Sequence, residues 1–142
     1  AVTWLVCEAM LNSVAPILAL SMGASAVILF TMPTAPAAQP APLIVAHCVA
    51  AFLGVLSAQL FDNTALAVGI AVGVHAGLMV RFGYMHPPSG GTALTAIIGG
   101  SAVTDLGYSL IWRPVLLNAV LLVVLAFVIN APFAWRRYPA KS

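Results

Sequence analysis

"LAVGIAVGVHAGLMVRFGYMHPPSGGTAL", residues 66–94, carries the contrast that decides the fold. Residues 66–80 contain no charged side chain and no alternation of polar and apolar positions. A long apolar run without period-two patterning reads as helix rather than strand. The run stops at Arg81, and residues 85–94 bring a histidine, two prolines and two glycines. Proline has no amide donor and disfavours helix in the residue before it, so the chain must turn here. A second helix then starts near Pro87 or Pro88, because proline suits the first helical position.

The rest of the chain extends this pattern. Hydrophobic residues make up 63% and charged residues only 6%. A soluble domain carries roughly a quarter charged residues, so this chain belongs in a bilayer. Its apolar runs exceed the roughly ten residues of a barrel strand. The expected fold is all-α: a polytopic transmembrane helix bundle of about five spans, with proline- and glycine-rich helix starts. The spans fall at residues 16–32, 42–60, 65–80, 88–103 and 114–129, in one domain covering 1–142. Residues 1–15 are apolar but short and are interrupted by Glu8 and Asn12; an intramembrane carboxylate is a functional candidate. With Ala1 first, no basic n-region and no cleavage site, no signal peptide is expected and the natural start is expected upstream. Cys7 and Cys48 lie in apolar segments and are expected as small buried hydrophobes.

With five crossings, Arg81, Arg136, Arg137 and Lys141 share one side, opposite Arg113, Asp62 and Asp105. The positive-inside rule then makes residues 132–142 a basic cytoplasmic tail with a cytoplasmic C-terminus, and the expected location is a bacterial inner membrane. The proline-rich linker 31–42 and the His86 region fall on the same side. Gly69, Gly73 and Gly77 recur every four residues, as do Ala46, Ala50, Gly54 and Ala58. Such stripes let helices approach closely, which marks the second and third spans as the core pair. The bulky last span is expected to face lipid, flanked by Trp112, Trp135 and Tyr138. A faint two-helix internal repeat, shifted by 46 residues, maps Pro42, Ala50 and Gly54 onto Pro88, Ala96 and Gly100, and Gly23 onto Gly69.

Two helix starts can carry chemistry. After Pro87 and Pro88, the amides of Ser89, Gly90, Gly91 and Thr92 precede any intrahelical acceptor and sit at the positive end of the helix dipole. Glycines would leave them bare to an anion. His86 can change charge near neutral pH. A plain turn with closely packed glycines explains the same residues. Gln39 and Pro40 open the second helix, with His47 about one turn inside. In the first span Gly23 and Ser25 interrupt the apolar run, either for close packing or, with Ser21, as a polar stripe. His47, His75 and His86 stand on three elements without metal-ligand spacing; His75 is expected as a packed neutral histidine or a path-lining group. A copper path through these histidines and Met79 and Met85 remains an alternative. No nucleophile with its base and no paired acids appear, so an enzyme, a cofactor and a resident metal are not expected. The net charge of +2 gives no nucleic-acid footprint.

These motifs identify a resemblance. The chain resembles the HPP family of small integral membrane proteins, through His86, Pro87 and Pro88 within "HPPSGGTAL". "GASAVILF" (23–30), then P-x-x-P-x-A-Q-P over 33–40, is similar to the family's first signature, and Tyr138-Pro139 to its ending. Where the family often has Gly-Gly-His, this chain has Val45-Ala46-His47. The resemblance implies a helical membrane protein, and some plastid and cyanobacterial members are linked to nitrite transport. The expected function is a transporter or channel for a small inorganic anion such as nitrite, working as a homo-oligomer in the lipid bilayer. The alternatives are a metal-ion path and a structural subunit without transport.

Overall fold

The computed structural model describes residue 5 and residues 15–140. Cys7, Glu8, Asn12 and Lys141 lie outside the described residues. The described fold is helical: α1 (Ala15–Thr31), α2 (Pro40–Leu60), α3 (Thr64–Phe82), α4 (Gly90–Ile98), α5 (Ser101–Thr104) and α6 (Leu117–Asn130). Short 3-10 turns at Pro36–Ala38 and Pro87–Ser89 precede α2 and α4. Among the described residues, three stretches are long and apolar enough to cross a bilayer: Pro40–Leu60, Thr64–Phe82 and Ile111–Asn130.

Local chemistry sets these limits. Pro40 occupies the first turn of α2, where no amide donor is needed. α2 runs 21 residues, about 31 Å at 1.5 Å each, which matches a hydrocarbon core of about 30 Å. The Asn63 side chain caps α3 by accepting from the Leu66 amide at 3.0 Å. Gly83 ends α3 in the left-handed conformation (φ 73°). The lead-in to α6, Ile111–Leu116, kinks at Arg113, whose φ of −128° and ψ of 113° are not helical.

The expected fourth span is not continuous. α4 has nine residues, about 14 Å of helix, and ends at Gly99-Gly100. Gly100 takes φ 81°, a conformation that L side chains rarely adopt, and the four-residue α5 follows. The weak repeat also fails at this point: buried Gly54 lies inside the unbroken α2, whereas its image Gly100 is exposed at the break.

α2 is central and packs on both α3 and α4. Ala46, Ala50 and Gly54 are buried as the small-residue stripe predicts, although Ala58 is exposed. A Cβ on Gly54 would lie 2.6 Å from the Ala93 carbonyl oxygen and 2.7 Å from the Ala96 Cβ. The glycine stripe of α3 behaves oppositely. Gly69, Gly73 and Gly77 are exposed with nothing within 4 Å of an added Cβ, and the buried face is Ala67, Ala71, His75 and Met79. This corrects the expectation that the stripe packs in the core: α3 turns its alanine–histidine face inward instead. α6 buries Asn118, Ala119, Leu122 and Ala126 and packs against α1, while Val124, Phe127 and Val128 face outward.

The linker, the tail and the His86 turn meet at one end of the bundle. Gln39 Nε2 donates to the carbonyls of Pro33 (3.0 Å) and Ala35 (2.9 Å), and its Oε1 accepts from the Ala140 amide at 2.8 Å. Arg136 donates to the Phe30 carbonyl and stacks over Trp135 and Phe133. Burial pushes the Tyr138 phenol up to about 12.

The Gly54 contact predicts a sharp contrast. Gly54→Val must push the α4 backbone away and should destabilise the fold by about 3 kcal/mol, the upper end for overpacking. Gly23→Val, at a position with nothing within 4 Å of a Cβ, should stay near wild type. Thermal unfolding in detergent checks both, and equal midpoints would remove the close α2–α4 approach.

Candidate functional site: a buried chain of hydroxyls and imidazoles

Serine at i and i+4 places two hydroxyls on one helix face. Ser21 and Ser25 of α1 do this, at 6% and 0% exposure, while Gly23 between them points outward. α2 supplies His47, the turn before α4 supplies His86, and α4 supplies Thr92, all at 0% exposure. These side chains close on one another. Ser25 Oγ lies 2.9 Å from His47 Nε2 and 2.8 Å from His86 Nε2. His47 Nδ1 lies 2.7 Å from Thr92 Oγ1, which lies 2.9 Å from Ser21 Oγ. Ser21 Oγ donates to the Pro88 carbonyl at 2.9 Å, and Ser25 Oγ has a longer contact, 3.1 Å, to the Ser21 carbonyl. The two imidazole centroids are 5.1 Å apart.

Carbonyl oxygens only accept, and this settles one tautomer. His86 Nδ1 lies 2.7 Å from the Ala37 carbonyl, so Nδ1 carries a hydrogen. Burial lowers the proton affinity of the His86 imidazole below its ordinary value, and the bond to Ala37 opposes that shift. A second, smaller set holds the turn. Ser89 Oγ donates to the His86 carbonyl at 2.6 Å, so at 2.7 Å His75 Nε2 must donate to Ser89 Oγ. His75 Nδ1 is then an unprotonated, buried acceptor with no hydrogen-bond partner. Met79 sulfur accepts from the His86 amide at 3.5 Å.

The expected residues therefore divide. Ser25, His47, His86 and Thr92 converge, Pro88 contributes its carbonyl, and Ser89 and His75 form the neighbouring pair. Gly91 packs against α1, where its Cβ would lie 3.2 Å from Ser21 Cβ. Gly23 lies on the outer face of α1, and exposed Pro87 opens the turn. Gln39 and Pro40 hold the linker and the start of α2 but do not bond to the chain. The bare-amide expectation is corrected at two positions. The Ser89 amide donates to the His86 carbonyl at 3.1 Å, and the Gly90 amide donates to the carbonyls of Pro87 and Pro88. The 3-10 turn supplies these acceptors. Sequence reasoning missed the Ala37 carbonyl, because backbone acceptors leave no residue-type signal. Among the described residues, no group of three or more His, Cys, Asp or Glu converges as a metal site.

Thr92 bridges His47 and Ser21, so Thr92→Val tests the chain at constant shape. It leaves a buried imidazole nitrogen unpaired and should cost about 1–3 kcal/mol. Thr92→Ser, which keeps the hydroxyl, should recover most of the loss. Denaturation of the detergent-solubilised protein measures both, and a Thr92→Val variant as stable as wild type would refute the bond.

Comparison with known proteins agrees with this picture of a helical membrane bundle. A transmembrane protein of Dictyostelium discoideum is 34% identical over 123 residues, covering 84% of this chain and 43% of its own length. A second transmembrane protein of that organism is 33% identical over 128 residues, covering 84% of this chain and 39% of its own length. This chain thus spans about two fifths of the length of these relatives. No solved structure matches it. The family model described as the HPP transmembrane region matches residues 1–139, and the chain belongs to that family.

Proposed function

We propose that this protein carries a small inorganic anion across a membrane, with nitrite as the first substrate to test. The observation that supports this reading is the buried chain itself. Five polar side chains meet inside an apolar bundle, where each must be desolvated and held in one geometry. Hydroxyls and imidazole N–H groups are donors suited to an anion, and no carboxylate hydrogen-bonds to the chain among the described residues to repel one. The three acids of the whole sequence fit the same preference. A metal path fits less well, since His47 and His86 spend their nitrogens on hydroxyls and a carbonyl, which leaves His75 Nδ1 alone among the histidine nitrogens without a partner. A purely structural subunit is the rival reading, because a satisfied buried network also fixes helix positions, and anion flux separates the two.

The working orientation puts the linker, the His86 turn and the tail on the cytoplasmic side, following the basic residues. A second copy of the chain is the natural cover for α3. Only 17% of its most apolar window is buried, against 44% for α2, and its exposed glycines offer bare backbone for close helix contact.

Nitrite uptake into proteoliposomes decides the main reading. Uptake should exceed that of protein-free vesicles, and His86→Ala should lower it about tenfold or more, the effect of losing one bond to a charged group. Uptake equal to empty vesicles sinks the proposal. For self-association, Gly73→Leu should shift the chain toward monomer in single-molecule subunit counting in nanodiscs; an unchanged distribution would place the contact elsewhere.

A further inference from the structure

Hydrogens can be counted along the buried chain. Its contacts run in order: Ala37 carbonyl to His86 Nδ1 (2.7 Å), His86 Nε2 to Ser25 Oγ (2.8 Å), and Ser25 Oγ to His47 Nε2 (2.9 Å). They continue from His47 Nδ1 to Thr92 Oγ1 (2.7 Å), Thr92 Oγ1 to Ser21 Oγ (2.9 Å) and Ser21 Oγ to the Pro88 carbonyl (2.9 Å). That makes six contacts along the chain, closed at both ends by carbonyls that can only accept; the longer 3.1 Å contact of Ser25 Oγ to the Ser21 carbonyl branches off it. Two neutral imidazoles and three hydroxyls bring one hydrogen each, five in total, so the six contacts are one hydrogen short. In the neutral chain the shortfall falls on Ser21, between Thr92 Oγ1 and the Pro88 carbonyl, when His47 is the Nε2–H tautomer, and on Ser25, between the two imidazoles, when His47 is the Nδ1–H tautomer.

One added proton removes the conflict. With His47 doubly protonated, Nδ1–H donates to Thr92, Thr92 donates to Ser21, and Ser21 donates to Pro88. On the other side Nε2–H donates to Ser25, Ser25 donates to His86 Nε2, and His86 Nδ1–H donates to Ala37. The proton can also pass to His86. The His47 Nε2–H bond breaks, Ser25 Oγ gains that hydrogen, and the hydrogen Ser25 already held moves to His86 Nε2. Ser25 ends unchanged and all six contacts remain filled. A second proton would place two cations on rings 5.1 Å apart, which like-charge repulsion opposes.

We propose that Ser21, Thr92, His47, Ser25 and His86 form a relay that binds one proton together with the transported anion, so that transport is a one-to-one proton–anion symport. The anion half of this inference rests on the function proposed above; the hydrogen count does not. A lone buried cation is costly without a counter-charge, and so is a lone buried anion. Each supplies what the other lacks, so the neutral pair enters where neither charge does alone. No carboxylate hydrogen-bonds to the relay among the described residues, which leaves that place to the cargo. Around the relay, α1 presents Ser21 and Ser25, α2 presents His47 and α4 presents Thr92. α3 presents His75, which reaches His86 only through Ser89. Burial weakens proton binding at His86, which opposes a charge on that ring, while its bond to Ala37 favours one.

Nitrogen-15 NMR of the histidine-labelled full chain in nanodiscs tests this directly. Near neutral pH without nitrite, both rings should be neutral and His86 should be the Nδ1–H tautomer. Sodium nitrite, but not sodium chloride, should convert one ring's worth of signal, shared by His47 and His86, to imidazolium. The apparent pKa of the pair should rise by about one pH unit, a tenfold gain in proton affinity. Ser25→Ala should abolish the sharing and leave each ring to titrate separately. If nitrite enters proteoliposomes yet both rings stay neutral at saturating nitrite, the symport is wrong while the anion reading stands. If no nitrite enters, the anion reading and with it the symport fall. The proton count is then decided by acid titration alone: one shared proton sustains the relay, and two independent titrations of the rings, or an Nε2–H tautomer at His86, overturn it.

Discussion

Hydrogen bonding without water governs this bundle. A hydroxyl or imidazole inside an apolar membrane protein has to find its partner within the protein, since each unmatched group costs several kcal/mol. Ser21 and Ser25 on α1 therefore cannot be satisfied by α1 alone. They fix where α2 must bring His47, where α4 must bring Thr92 and where the turn must bring His86. The apolar contacts fill the space around this arrangement, with Met22, Leu29 and Leu43 fully buried in the main core. They are tolerant of sliding in a way that a 2.7–2.9 Å chain is not.

The same requirement explains why α4 is short and preceded by a turn. Thr92 has to point at His47 while His86, only six positions earlier, points at Ser25 from the other side. One continuous helix through both residues would carry the two side chains along a single rod. The prolines and the 3-10 turn break that rod and let both groups face α1 and α2. Gly91 then allows α4 to lie against Ser21, and Gly54 allows α2 to lie against Ala93. The turn is also held from behind by Ser89, His75 and Met79, so it is tied down on both sides.

Much of this was legible in the residues. Apolar run lengths and prolines located α2 and α3 to within about two residues, since proline acts on its own backbone whatever the tertiary context. His86, Thr92, Ser25 and His47 stood out as candidates because polar residues are rare in so apolar a chain. Their mutual contact was not, because they are separated by 22 to 61 positions and nothing in the spacing encodes tertiary contact. The glycine stripe of α3 misled for a related reason. Small residues every four positions signal that a helix face can approach another closely, but not which neighbour it meets. Likewise "GGSAV" near residue 100 is as apolar as a span requires, yet Gly100 takes a positive φ that ends the helix.

The relay and the bare-amide idea assign the positive charge for an anion differently. Helix-terminal amides offer a fixed partial charge that is present whether or not an anion has arrived. Here the Ser89 and Gly90 amides are already spent on the turn, so that permanent charge is muted. The proposed relay is instead a chain one hydrogen short, to which one added proton would bring the positive charge. A charge that appears only with the proton distinguishes a coupled carrier from a passive pore, because a permanent positive site would admit the anion at any proton gradient. The shortfall arises because the chain ends on carbonyls on both sides, at Ala37 and Pro88. Had either end been a donor, five hydrogens would have sufficed for the contacts and the chain would have been a closed structural network with no place for a proton.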